Sequence, residues 1–274
     1  MIERRREKLH VIFRLDSELD QDEIQIGTNT LGQLVRVGGI SDIQALRTII
    51  DTMRKFGVTE LNDHGKQISA DSYLKKVEKQ GKWSRSVDAG GMSFRFGHVV
   101  ALKHSFISVE EITTGSAVSW ADWVEPFLAV DGFVQAWLSD VDYDYWQNAK
   151  DPLQYQAVGR NYSSLPMKSN GLPPPLEQME IDTSSNPGRW SLQSGYVEAI
   201  GATMWLGMPF WESVGENHKD ALLSEDGFTV RSVGRDILQV VASEQCFFDE
   251  ATKDKQNTLR AVLYGQSQAR PEQS

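Results

Sequence analysis

The residues best placed to do chemistry are the alternating acids Asp140-Val141-Asp142-Tyr143-Asp144, which copy the first five positions of the calcium loop D-x-D-x-D. The rest of that loop is missing. Its sixth position needs a glycine for a sharp turn and holds Tyr145, and its twelfth needs a bidentate glutamate and holds the shorter Asp151. What remains is a helix start, where first-turn carboxylates favour the positive end of the dipole, or a recognition surface.

The stretch 120–151 argues for recognition. It carries seven carboxylates (Asp122, Glu125, Asp131, Asp140, Asp142, Asp144, Asp151) against Lys150 alone, together with Trp120, Trp123, Trp137, Trp146, Tyr143 and Tyr145. Aromatic anchors inside a one-signed charge field are how tight protein interfaces join steered encounter to buried contacts. Many of these rings must serve the core. Trp146, between Tyr145 and Gln147-Asn148, has the most polar neighbours, so the expected partner-binding residues are Asp140, Asp142, Asp144, Tyr145 and Trp146.

Catalytic and cofactor motifs are missing from the text. There is no phosphate-cradling glycine loop, no G-x-G-x-x-G, no G-x-S-x-G elbow and no H-E-x-x-H. None of the five histidines (His10, His64, His98, His104, His218) has a partner at helical i, i+4 spacing. His98 and His104 lie in strand-like sequence, either as structural residues or as the base of a dispersed acid/histidine site. Glu110-Glu111 matters to a paired-carboxylate hydrolase only beside a cleft, and Glu225-Asp226 reads as a turn completed by Gly227. Cys246 is the single cysteine, which excludes an internal disulfide and a multi-thiolate metal site. No cofactor and no metal is expected.

Composition narrows the partners. A formal charge of -10 repels phosphate backbones, so nucleic acid is not expected, whereas a basic protein surface is. No run approaches the ~18 apolar residues that span a bilayer. Arg4-Arg5-Arg6 is followed by Val11-Ile12-Phe13, but Arg14 and Asp16 interrupt that run before it can form an export signal. A cytoplasmic protein is expected.

The elements that must position these residues are mixed. Residues 9–15, 31–37, 92–96, 99–102 and 106–109 read as strands, with a turn near Gly97 or Lys103. Ser41 caps a helix whose Ile43, Leu46, Ile49, Ile50, Met53 and Phe56 form one apolar face before Gly57. A second helix runs over 71–80. Beyond Ser119, short helices are expected over 121–130, 132–138 and 141–149. A long loop follows over 160–186, in which Pro173-Pro174-Pro175 favours an extended polyproline strap. Strands over 190–206, 228–233 and 237–241 and a helix before Gly265 close the fold, with Gln266–Ser274 as a disordered tail. The fold class is α+β: a mainly antiparallel sheet with helices packed on it. Two intimately packed lobes, 1–117 and 118–265, are expected.

One segment resembles a known group. Tyr145-Trp146-Gln147-Asn148, Gly159-Arg160, Leu172-Pro173-Pro174-Pro175-Leu176, Gly195-Tyr196-Val197-Glu198-Ala199 and Trp205-Leu206-Gly207 through Phe210-Trp211 resemble the immunity proteins that accompany bacterial polymorphic toxins and contact-dependent secretion effectors, type VI secretion included. The resemblance implies an acidic cytoplasmic protein without catalytic residues that occludes the active site of a cognate toxin. A hydrolase with a dispersed site and a structural adaptor of a bacterial assembly are the competing expectations.

Overall fold

The computed structural model describes residues 4–19, 34–37, 39–83 and 86–265. In chain order the elements are β1 (Glu7–Arg14), β2 (Asp16–Leu19), β3 (Leu34–Val37), α1 (Asp42–Lys55), β4 (Glu60–Asp63), β5 (Lys66–Ser69), α2 (Ala70–Gln80), β6 (Val87–Ala89), β7 (Met92–Val99), β8 (His104–Glu111), α3 (Trp120–Leu128) and β9 (Phe133–Asp140). There follow α4 (Val141–Asn148), α5 (Pro152–Ala157), β10 (Met167–Ser169), β11 (Met179–Ile181), β12 (Ser191–Leu192), β13 (Val197–Glu198), β14 (Thr203–Leu206), α6 (Met208–Val214), α7 (Glu216–Leu223), β15 (Thr229–Ser232), β16 (Leu238–Val241) and α8 (Lys253–Tyr264). The expected tail, and residues 31–33 of the second expected strand, lie outside the described residues.

Ten strands form one antiparallel sheet in the order β15-β16-β14-β9-β1-β8-β7-β6-β4-β5, as an α+β fold requires. The first strand of the chain lies at its middle. β1 pairs with β8 on one side and β9 on the other, so hydrogen bonding is continuous across residue 117.

Period-two alternation on β1 sends side chains to two cores. Leu9, Val11 and Phe13 join Phe94, Ile107 and Val109 beneath α1, α2 and α3. Ile12 points the other way, with Val134, Trp137, Met204, Leu206 and Val240, beneath Phe210, Trp211, Leu222, Leu259 and Leu263 of α6, α7 and α8. Each such side chain, fully buried, stabilises by roughly 1.5–3 kcal/mol. The two layers cover opposite faces of opposite halves of the sheet. A cleft of about 1060 Å³ remains beside α3, lined by Trp205, Gln239, Arg231 and Ile237.

Residues 132–138, expected as a helix, are instead the body of β9. Phe133 to Leu138 are all buried, Gln135 included, because this strand is covered on both faces, and a segment with no wet face shows no strand period. Pairing shifts between Ile12↔Gln135 and Phe13↔Phe133, leaving Val134 as the extra residue of a bulge. The buried Gln135 carboxamide then brackets Val197, donating to its carbonyl (2.8 Å) and accepting its N–H (3.3 Å). The β7–β8 turn falls at Lys103 (φ 53°) and not at Gly97, which is glycine because the Phe106 ring lies 2.7 Å from where a Cβ would stand.

Candidate partner-binding surface

The expected site residues all lie on α4 or at its start. Asp140 caps the helix by accepting the Tyr143 N–H, Asp142 and Asp144 occupy the first turn, and Asp151 caps α5, whose first residue is Pro152. The chain then builds a small module of its own over 149–190. Ala149, Tyr155 and Ile181 form its core, with Trp146, Tyr162 and Leu165 against it. Asn186 Nδ2 donates to the Gln147 carbonyl (2.8 Å), fastening the module back onto α4.

The five residues divide between inside and outside. Asp140 is 1% exposed and bound by the Arg5 guanidinium, so its charge is spent within the fold and is not offered to a partner. Asp144 is turned toward Lys8, Glu110 and Asp140, and burial pushes its carboxyl up to about 6, against the pull of Lys8. Asp142 faces solvent, bonded to Arg6 at 3.1 Å. Tyr145 is 47% exposed. Trp146 is half-buried, with its ring packed on Tyr145 and Tyr155 and the Arg160 guanidinium 4.5 Å from its centroid.

Asp142, Trp146 and Arg160 meet at a cleft of about 460 Å³ that Arg5, Phe248 and Asp249 complete. Arg160 and Phe248 were invisible in the sequence as members of this site, because nothing in residue spacing brings 160 and 248 to 146. The other tryptophans are mostly core: Trp83, Trp123, Trp137, Trp205 and Trp211 are buried, and Trp120 donates its indole N–H to Glu7 at 2.6 Å. Among the described residues, nine of the fourteen large apolar side chains left exposed fall between Tyr145 and Leu192, from α4 through the module that follows it to β12.

The histidines were also placed. Ser105 Oγ lies 2.9 Å from His98 Nδ1, and His98 Nε2 lies 3.3 Å from Asp42 Oδ2, the connectivity of a nucleophilic triad. Ser105 is fully buried, and neither the 1060 Å³ nor the 460 Å³ cleft is lined by any of the three. His104 and His10 are both held below the ordinary imidazole range by burial, His10 while stacked 4.5 Å from Trp137. Glu111 is sealed in, accepting the N–H groups of Glu7 and Ala117, so Glu110-Glu111 forms no carboxylate pair at a cleft. Glu225 accepts the Gly227 N–H in a turn. Burial pushes the Cys246 thiol up, with Glu7 adding to the shift. Among the described residues no three or more His, Cys, Asp or Glu side chains converge as a metal ion requires, and no helix is long and apolar enough to cross a membrane.

No family model and no curated protein matches this chain. Among solved structures, a Pseudomonas aeruginosa T6SS protein is similar at 11% identity with a TM-score of 0.49, covering 94% of this chain and 72% of that one.

Proposed function

We propose that the chain is a binding protein and not an enzyme: an immunity-type inhibitor that neutralises a cognate bacterial toxin by occluding its active site. One observation carries this reading. Nine of the fourteen large apolar side chains left exposed among the described residues lie between Tyr145 and Leu192, on and around α4 and the module that follows it, where an interface needs them and a fold does not. The net charge of -10 suits a basic partner and speeds the encounter.

The test is co-expression with the protein encoded by the adjacent reading frame. Toxicity of that protein alone, rescue by this chain, and loss of rescue on Tyr145→Ala with Trp146→Ala support the reading. A non-toxic stoichiometric partner would favour a structural adaptor instead. A hydrolase is the other rival, and the Asp42–His98–Ser105 chain is its one support; unaltered biological activity in Ser105→Ala would remove it.

A further inference from the structure

We propose that the loop 170–178, between β10 and β11, is a preformed plug that enters a basic, apolar-walled cleft of the protein partner, with Leu172 and Leu176 as its anchors. The proposal rests on the binding reading above and names the part that does the occluding.

Every residue from 171 to 179 is exposed, so the loop is not held by packing. It is held by its own hydrogen bonds. Asn170 Oδ1 accepts the N–H groups of Leu172 (3.2 Å) and Gln178 (3.1 Å), its Nδ2 donates to the Leu176 carbonyl (3.1 Å), and its own N–H donates to the Gln178 carbonyl (2.9 Å). Leu176 N–H closes a turn onto the Pro173 carbonyl at 2.9 Å, so the prolines bend and do not form the extended strap their composition suggests. Three prolines and one asparagine thus fix a shape before any partner arrives, which lowers the entropy lost on binding.

The fixed shape presents leucines to water. Leu172 is 49% and Leu176 61% exposed, although neither contributes to a core. The backbone between them constrains the partner's chemistry. Pro173, Pro174 and Pro175 have no N–H, and those of Leu172 and Leu176 are already spent, so this stretch offers carbonyls alone. A cleft that accepts it must supply donors around two apolar wells. The charge has a definite sign too. Lys168 is paired with Asp182 and Lys150 with Glu180, whereas the Glu177 carboxylate beside Leu176 is bonded only to the Ser169 hydroxyl among the described residues. Arginine or lysine side chains at the cleft rim satisfy both demands.

The experiment measures binding of the full chain to the purified product of the adjacent reading frame, at two salt concentrations, with melting temperatures for every variant. Leu172→Ser with Leu176→Ser is expected to weaken binding about 100-fold without lowering the melting temperature. Glu177→Gln is expected to slow association about threefold and to flatten its salt dependence. Asn170→Ala, which keeps both leucines and unfastens the loop, is expected to weaken binding about tenfold. If the double variant binds like the unaltered chain, the plug is overturned and the binding reading stands. If the unaltered chain does not bind that product, both fall. A lowered melting temperature in the double variant would make the leucines part of the fold and also overturn the plug.

Discussion

Arg5 holds Asp140 through two hydrogen bonds, Nε to Oδ2 at 2.6 Å and Nη2 to Oδ1 at 3.0 Å, while Oδ1 also accepts the Tyr143 N–H at 2.7 Å. One carboxylate therefore does two things: it starts α4, and it anchors the chain entering β1 to the end of β9. Asp140→Ala removes both and is expected to cost about 2 kcal/mol, in the low range for a buried pair because Arg5 is 41% exposed. Urea denaturation of the variant against the unaltered chain measures it.

Asp144 and His10 pull the pH profile in opposite directions. The Asp144 carboxyl is raised from 3.8 to about 6, so the folded state holds its proton more tightly than the unfolded one. Its contribution is complete below about pH 4 and is lost as the pH rises through about 6. His10 is depressed below 6.5 by burial and by Lys8, so the unfolded chain takes up its proton first; that stability is present above 6.5 and is lost as the pH falls toward the depressed value. Asp144→Asn is expected to raise the melting temperature at pH 8 and to leave it unchanged near pH 4. Thermal melts across that range decide it.

Two glycines let β14 close against β9. A Cβ at Gly201 would meet the Leu138 carbonyl oxygen at 2.5 Å, and one at Gly207 the Phe133 carbonyl oxygen at 2.5 Å. Both obstacles are backbone in a central strand and cannot swing aside. Gly201→Ala and Gly207→Ala are each expected to destabilise by about 1–3 kcal/mol, read as a drop in the denaturation midpoint at constant slope.

Asp42 ties the start of α1 to two distant places. Its Oδ1 accepts the Trp83 N–H at 2.8 Å, and its Oδ2 meets His98. Asp42→Ala leaves a buried N–H without an acceptor and is expected to cost about 1–3 kcal/mol. Ser105→Ala removes one neutral bond and is expected to cost about 1 kcal/mol, with no change in partner binding. Calorimetric unfolding and the binding assay separate these outcomes.

Local signals proved readable where the environment is one-sided. Ser41, the apolar face of Ile43, Leu46, Ile49, Ile50, Met53 and Phe56, and Gly57 (φ 76°) mark α1, because one face of that helix meets the sheet and the other meets water; the four middle residues are buried, and Ile43 and Phe56 pack partly buried against them. The same logic marks α2, where Tyr73 and Val77 are buried and Lys75, Lys76 and Lys79 are exposed. It fails at β9, which has no wet face to set a period. At 173–175 composition suggests an extended strap, and the turn that replaces it depends on the Leu176 N–H reaching the Pro173 carbonyl, which no residue pattern announces. The geometry of the candidate site was half legible. Tyr145 and Trp146 stand out by their polar neighbours, whereas the inward turn of Asp140 depends on Arg5, 135 positions away in sequence.

The central place of β1 sets a timetable for the nascent chain. Its neighbours, β8 beginning at His104 and β9 ending at Asp140, are translated long after it. At about 5–20 residues per second, this strand, with Leu9, Val11, Ile12 and Phe13 all destined for the cores, spends several seconds or more without either partner. Folding therefore cannot proceed by adding finished hairpins from one end. A central strand of the sheet is made before both of its neighbours and paired late, which leaves its unpaired edges and apolar side chains open to association while the rest is synthesised.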